Sequence, residues 1–219
     1  MGRFAGPSSM STAPLERSCA RHLWSELSYA IGMRGLPPQV ARFHWRARRL
    51  AWRDQDAFSL ISATRPRDLG VLLKLARGRS NVVELGTATG WTAIALALAD
   101  PTRNVLTYDV VARPERERYL GLVPGTVRER ISFVKAAGSA GPPEGLATSI
   151  DLLYIDSSHD REATIAELGA WQDSLSPAAV VVLDDYNHPS YPGVREAVQE
   201  LGLRGMQCGT MYVHGLGPT

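Results

Sequence analysis

The sequence is poor in cysteine, in lysine and in long apolar runs. Its two cysteines, Cys19 and Cys208, lie far apart. No apolar stretch near the start reads as a secretion signal, so the expected compartment is a reducing cytoplasm. No window approaches the roughly twenty apolar residues that cross a bilayer. Gly6 stands where a myristoylation signal needs serine or threonine, so no membrane partner is expected. An excess of one charge is missing as well. The 219 residues carry a formal net charge of +2, and the basic side chains are nearly all arginine, which points away from a nucleic-acid partner. A chain of this length suits one domain with an extension, burying about seventy per cent of its unfolded surface in one core.

A dinucleotide fingerprint is also absent, and its absence is informative. The run Val82-Val83-Glu84-Leu85-Gly86-Thr87-Ala88-Thr89-Gly90-Trp91 is an apolar strand running into an acid and a glycine-bounded turn that opens onto a helix. Glycine at 86 and 90 lets the backbone turn tightly and approach a ligand, and the helix start offers unpaired N–H groups. Ala88 occupies the position of the second glycine in Gly-x-Gly-x-x-Gly, so a pyrophosphate could not press against that backbone. The pattern Glu-x-Gly-x-x-x-Gly instead resembles the first motif of class I methyltransferases that use S-adenosylmethionine (SAM). In those enzymes a carboxylate such as Glu84 can meet the ammonium of the ligand, directly or through water. A second apolar run, Asn104 to Tyr108, ends at Asp109, a little over twenty residues past the turn. An acid at the tip of the second strand of a doubly wound fold accepts hydrogen bonds from two ribose hydroxyls. Trp91 to Ala99 is small and helix-forming and stops at Asp100-Pro101, which completes a βαβ unit.

Along the chain, residues 1–14 are rich in Gly, Ser and Pro and are expected to be disordered. Residues 15–60 form a helical extension, a candidate lid or dimer contact. It holds an amphipathic helix over 15–32 and a second over 39–54 carrying five arginines among Phe43, Trp45, Leu50 and Trp52. That basic helix reads as a solvated face whose aromatics pack on the core or on a second subunit, the alternative being a site for an anionic substrate or acidic partner. The domain proper spans 61–219. It is predicted as helix 69–76, then the βαβ unit, helix 114–120, strand 131–134, strand 150–155, helix 161–174, strand 180–183 and helix 194–201. Two final strands over 203–207 and 210–214 turn at Cys208-Gly209. Alternation of this kind means an α/β fold with a parallel sheet, and the last pair adds an antiparallel edge.

Two strand ends carry the candidate chemistry: Ile155-Asp156-Ser157-Ser158-His159 and Asp184-Asp185-Tyr186-Asn187-His188. In an open parallel sheet the ligand lies beyond the carboxyl ends of the strands, so Asp156, Asp184 and Asp185 would gather beside whatever Glu84 and Asp109 hold. Two like charges about 4 Å apart cost on the order of 4 kcal/mol at an effective dielectric near 20, so a cation or a proton must compensate. Oxygen-only ligands suit Mg²⁺, which would lower the pKa of a bound hydroxyl. Adjacent strand residues point to opposite faces, so the chain must leave strand geometry at 184–185 for both acids to serve one ion. His159 is placed to act as general base, with Asp156 as the alternative. Asp160 could cap the helix that follows.

From Leu69 onward the chain resembles SAM-dependent O-methyltransferases of the divalent-metal branch, the group that includes catechol, caffeoyl-coenzyme A and macrolide-sugar methyltransferases and the cephalosporin hydroxylase-like subgroup. The resemblance rests on Ile-Asp-Ser-Ser-His at 155–159, Asp-Asp-Tyr-Asn-His-Pro-Ser-Tyr-Pro-Gly-Val at 184–194 and the glycine elbow. It implies a Rossmann-like class I methyltransferase fold: a mostly parallel seven-stranded sheet with an antiparallel C-terminal hairpin and, here, an N-terminal helical extension. It implies SAM held by Glu84, Gly86, Thr87, Gly90 and Asp109, with Ser139 near the adenine. It also implies Mg²⁺ or another divalent cation on Asp156, Asp184 and Asp185, with His159 as base. The acceptor would be a small molecule with a hydroxyl group, a sugar or a phenol of secondary metabolism, and the chain a homodimer. The alternatives are a SAM-binding enzyme of the same fold with another reaction, or a catalytically silent SAM-binding subunit. The intact set of aspartates argues against the last.

Overall fold

The computed structural model describes residues 27–145 and 149–215. The segment expected to be disordered and the first part of the helix expected over 15–32 lie outside them. Residues 27–33 are helical. The basic helix is α1 (Pro38–Arg53), with proline in its first turn, where no N–H is needed. It buries Val40, Phe43, His44, Ala47 and Ala51. Of the aromatics expected to pack, Phe43 does, while Trp45 and Trp52 face outward with more than half their surface exposed. A short helix that sequence patterning missed, α2 (Ala57–Ser62), follows. It starts where the Asp56 carboxylate accepts from the Ser59 backbone N–H at 3.0 Å and from its hydroxyl at 2.6 Å. Helix α3 (Pro66–Leu75) begins three residues earlier than the pattern predicts, because Pro66 supplies its first turn.

The sheet is built from β1 (Asn81–Leu85), β2 (Asn104–Tyr108), β3 (Ile131–Val134), β4 (Ile150–Ile155), β5 (Leu175–Leu183), β6 (Gly205–Cys208) and β7 (Met211–His214). Between them lie α4 (Trp91–Ala99), α5 (Glu115–Leu120), α6 (Gly125–Arg128), α7 (Arg161–Trp171) and α8 (Gly193–Glu200). The strand order is β3-β2-β1-β4-β5-β7-β6. The first five strands pair in parallel, and β7 runs antiparallel to both β5 and β6. The expected mostly parallel seven-stranded sheet with a C-terminal hairpin is therefore the observed fold. The hairpin turn falls one residue later than expected, at Gly209-Thr210, where Gly209 has a φ of +67° that a side chain would strain. Strand β5 starts five residues before the predicted 180, and α7 tightens into a 3₁₀ turn at Gln172–Ser174.

Strand alternation divides the interior in two. Val82, Val105, Leu152, Tyr154, Val180 and Val182 face α1, α3 and α4, while Val83, Leu85, Leu153, Ile155, Val181 and Leu183 face Trp171 and the α8 residues Val194 and Val198. Seven of the nine α4 residues are buried, as befits a helix of small apolar residues that is covered on all sides. After β1 the chain winds to β2 and β3 on one side and returns to β4 and β5 on the other. The reversal opens a crevice beyond the carboxyl ends of β1 and β4, where such folds hold ligands.

Candidate active site

One cleft of about 780 Å³ occupies that crevice, inside the roughly 300–1,000 Å³ range of small-molecule sites. Gly86, Ala88, Asp109, Ser139, Asp156, His159, Asp184 and Asp185 all line it. The structure thus brings seven of the ten candidate residues to one wall, with Ala88 beside them. Thr87, buried, and Gly90 are not among the lining residues. Gly90, at φ +83°, starts α4. Glu84 is also buried, and it shares a strand face with its register partners Thr107 and Tyr154. Its Oε2 accepts from the Thr107 hydroxyl at 2.5 Å. Burial raises Glu84 to about 8, with the Thr107 hydrogen bond and the Arg116 charge opposing. Glu84 is not among the residues that line the cleft.

The glycine turn is tied to β2 from two sides. The N–H groups of Gly86 and Thr87 both donate to the Tyr108 carbonyl, at 2.9 and 3.0 Å. Asp109 accepts from Ala88 N–H through one carboxylate oxygen and from Val111 N–H through the other, both at 2.8 Å, with lone pairs left for hydroxyl donors. A Cβ on Gly86 would come within 1.9 Å of the Asp156 carbonyl oxygen, so only glycine lets the β1 and β4 tips close on the cleft. Arg116, on α5, donates to the Ala88 carbonyl at 3.0 Å and lies over Phe133. Sequence patterning marked that segment only as a helix, and a lone arginine in it carried no signal.

At the other end of the cleft the acids converge. The ladder continues past the strands, with Asp156 N–H donating to Leu85 O at 2.8 Å and Asp184 N–H to Ile155 O at 2.9 Å. The chain then leaves strand geometry, at φ +54° for Asp185 and +57° for His159. That departure lets the adjacent residues 184 and 185 both face the cleft, and strained backbone of this kind recurs at functional sites. Asp184 is held by three donors: Tyr154 OH at 2.7 Å, Thr210 OH at 2.9 Å and Asp185 N–H at 2.8 Å. Tyr154 OH also reaches Asp156 at 3.2 Å, and Thr64 OH stands 3.4 Å from it. Burial, then the Asp184, Glu84 and Asp185 carboxylates, push Asp156 well above the usual carboxylate range, with the Tyr154 hydroxyl opposing. His159 Nε2 stands 3.5 Å from Asp185 and 3.8 Å from Asp156. Its ring lies 5.1 Å from that of Tyr191, which stacks on His188. Asp160 caps α7 through the N–H groups of Glu162 and Ala163. Tyr154, Thr210, Asp68 and Glu167 are site residues that sequence reading missed, since a lone polar residue in a strand, loop or helix gives no pattern.

Residues 83–186 match the family model described as a methyltransferase domain. That segment of the chain is thus similar to methyltransferase domains. Among solved structures it is similar to CalS11, a TDP-rhamnose 3′-O-methyltransferase of calicheamicin biosynthesis, at 17% identity over 83% of this chain and 96% of that one, with a TM-score of 0.58. An O-methyltransferase from Bacillus cereus in complex with SAH (S-adenosylhomocysteine) matches at 16% identity over 77% and 90%, with a TM-score of 0.60. TomG from Streptomyces achromogenes, an O-methyltransferase of tomaymycin synthesis in complex with SAM, matches at 22% identity over 71% and 82%, with a TM-score of 0.52. A comparison of the sequence with curated proteins yields no match. No helix among the described residues is long and apolar enough to cross a membrane.

The cleft fits SAM. A turn closed to any Cβ adjoins it, and Asp109 offers an acceptor at the tip of β2. Asp156, Asp184 and Asp185 line the acid end of the cleft with carboxylate oxygens, the ligand type a divalent cation takes. Among the described residues, no group of three or more His, Cys, Asp or Glu stands ready to hold a metal ion. The Tyr154 hydroxyl, whose one proton lies between Asp184 at 2.7 Å and Asp156 at 3.2 Å, stands against carboxylate oxygens that an ion would use.

Proposed function

We propose that this methyltransferase acts on a hydroxyl oxygen of a small molecule, with help from a divalent cation. The observation that carries the reading is the convergence of His159, Asp156, Asp184 and Asp185 on the cleft that also holds Asp109 and Gly86. The acceptor oxygen and the methyl donor would thus share one cavity. The similarity of the fold to O-methyltransferases such as CalS11 and TomG supports it.

SAM supplies the methyl carbon that the acceptor oxygen attacks. Asp109 fixes the ribose, and the Gly86 turn fixes the amino-acid end, so the residues act chiefly by alignment. Asp156, Asp184 and Asp185 would hold a divalent cation, whose chemistry is to lower the pKa of an acceptor hydroxyl. His159 Nε2 takes the hydroxyl proton, with Asp156 as the other acceptor in reach. Phe58, Ile61 and Tyr191, exposed large side chains on the cleft wall, would pack against an acceptor with an apolar body. Sugars, the acceptor class of CalS11, and phenols are both acceptors to test at this site.

The test is turnover. The protein is incubated with SAM and a panel of polyol and phenolic compounds, with and without chelator, and SAH release is followed. Chelator-sensitive release supports the proposal. SAM binding without turnover on any acceptor would favour a non-methylating or silent role, and chelator-resistant turnover would remove the cation.

A further inference from the structure

Glu167 is a buried acid on the cleft wall that the methyl-transfer chemistry does not use. It sits on the α7 face that also buries Thr164 and Trp171, three and four residues away, as helical spacing requires. The residue is 4% exposed, yet it lines the cleft. Its Oε2 accepts from the Ser157 hydroxyl at 2.8 Å. Among the described residues, Oε1 accepts no hydrogen bond. That oxygen lies against the 3₁₀ turn Gly138–Ala140, where a Cβ on Gly138 would stand 2.5 Å from it. Trp171 fixes the turn by donating Nε1–H to the Gly138 carbonyl at 2.7 Å. With no donor on it, that oxygen is free to accept one from a ligand in the cleft that Glu167 lines.

We propose that Glu167 accepts a hydrogen bond from the exocyclic amine of the adenine ring and so selects the nucleobase. The inference rests on reading this cleft as the SAM site. Asp109 at the tip of β2 takes the ribose hydroxyls, and the Gly86 turn between β1 and β4 takes the amino-acid end. The base is left toward the end of β3, where Ala136, Ala137, Gly138, Ala163 and Val110 line the cleft and suit a flat ring. On the edges of adenine the 6-amino group is the N–H donor, and the ring nitrogens are acceptors. A carboxylate is the side chain that can only accept. Burial raises Glu167, with the Ser157 hydrogen bond opposing, which is the condition an incoming donor relieves.

The experiment is calorimetric titration with SAH and with its analogue carrying hydrogen in place of the 6-amino group. The wild type should prefer SAH by about tenfold or more, the range for a hydrogen bond to a charged group. Glu167→Ala should weaken SAH alone, so that the ratio falls to near one. Glu167→Gln keeps a carbonyl acceptor and should restore the ratio. A merely structural role for Glu167 would weaken both ligands together and leave the ratio standing, which overturns the proposal. So would equal binding of the two ligands by the wild type, which needs no variant to fold. A wild type that binds neither ligand overturns the cofactor reading itself.

Discussion

Gly86→Ala probes the closure of the cleft directly, because the structure separates its two costs. Left-handed backbone costs an ordinary residue roughly 1–2 kcal/mol, and Gly86 has φ +105°. Its Cβ would also stand 1.9 Å from Asp156 O and 2.5 Å from Asp156 C, so the β1 and β4 tips must separate, at about 1–3 kcal/mol for overpacking. Gly78 is the control: its φ is +70°, and nothing lies within 4 Å of its Cβ position. A domain of this size loses about 2–4 °C of melting temperature per kcal/mol. Gly86→Ala should therefore lower the melting temperature at least about twice as far as Gly78→Ala. It should also weaken SAH binding about tenfold or more, because the displaced backbone carries Asp156 and the cofactor turn with it. Thermal melts and calorimetric titrations of both variants measure this. Equal melting shifts with unchanged SAH affinity would refute the reasoning.

Asp109→Ala removes the acceptor of the Ala88 and Val111 N–H groups and should raise the dissociation constant for SAH about tenfold or more. Unchanged affinity in the same titration would remove Asp109 from the cofactor contacts. Glu84 titrates at about 8 in the fold against an ordinary value of 4.5, so between those limits the folded chain keeps a proton that the unfolded chain has lost. The stability it contributes is fully present below about pH 4.5 and is lost as pH rises toward 8. Glu84→Gln cannot ionise, so its melting temperature should fall less between about pH 5 and about pH 8 than that of the wild type. Parallel melting curves would contradict the assignment.

Much of this fold was legible because its signals are local. The acid-glycine elbow, the stop at Asp100-Pro101 and the alternation of apolar runs each need only a few neighbouring residues. Asp109 and the acid pairs could be placed in one crevice because parallel topology sends every strand end to the same side. What stayed hidden depends on partners far along the chain. Helix α2 is short, and its cap Asp56 also accepts from Tyr119 OH at 2.6 Å, a contact 63 residues away. Glu84 followed the elbow pattern, but strand parity turned it toward Thr107 and Tyr154, beneath the turn. The objection that adjacent aspartates face opposite ways is answered by a positive φ at Asp185, a backbone choice no residue type there announces. Glu167 became meaningful only once Gly138 and Ser157 closed around it.

The central claim, that the cleft gathers carboxylates to hold an ion beside the methyl donor, is tested most directly by titrating Mn²⁺ into the SAH-bound protein and reading bound metal by electron paramagnetic resonance. The account predicts one tightly bound ion per wild-type chain, none on Asp184→Ala, and SAH affinity unchanged by that substitution. A wild type that binds no ion, or an Asp184→Ala protein that keeps it, would contradict the account.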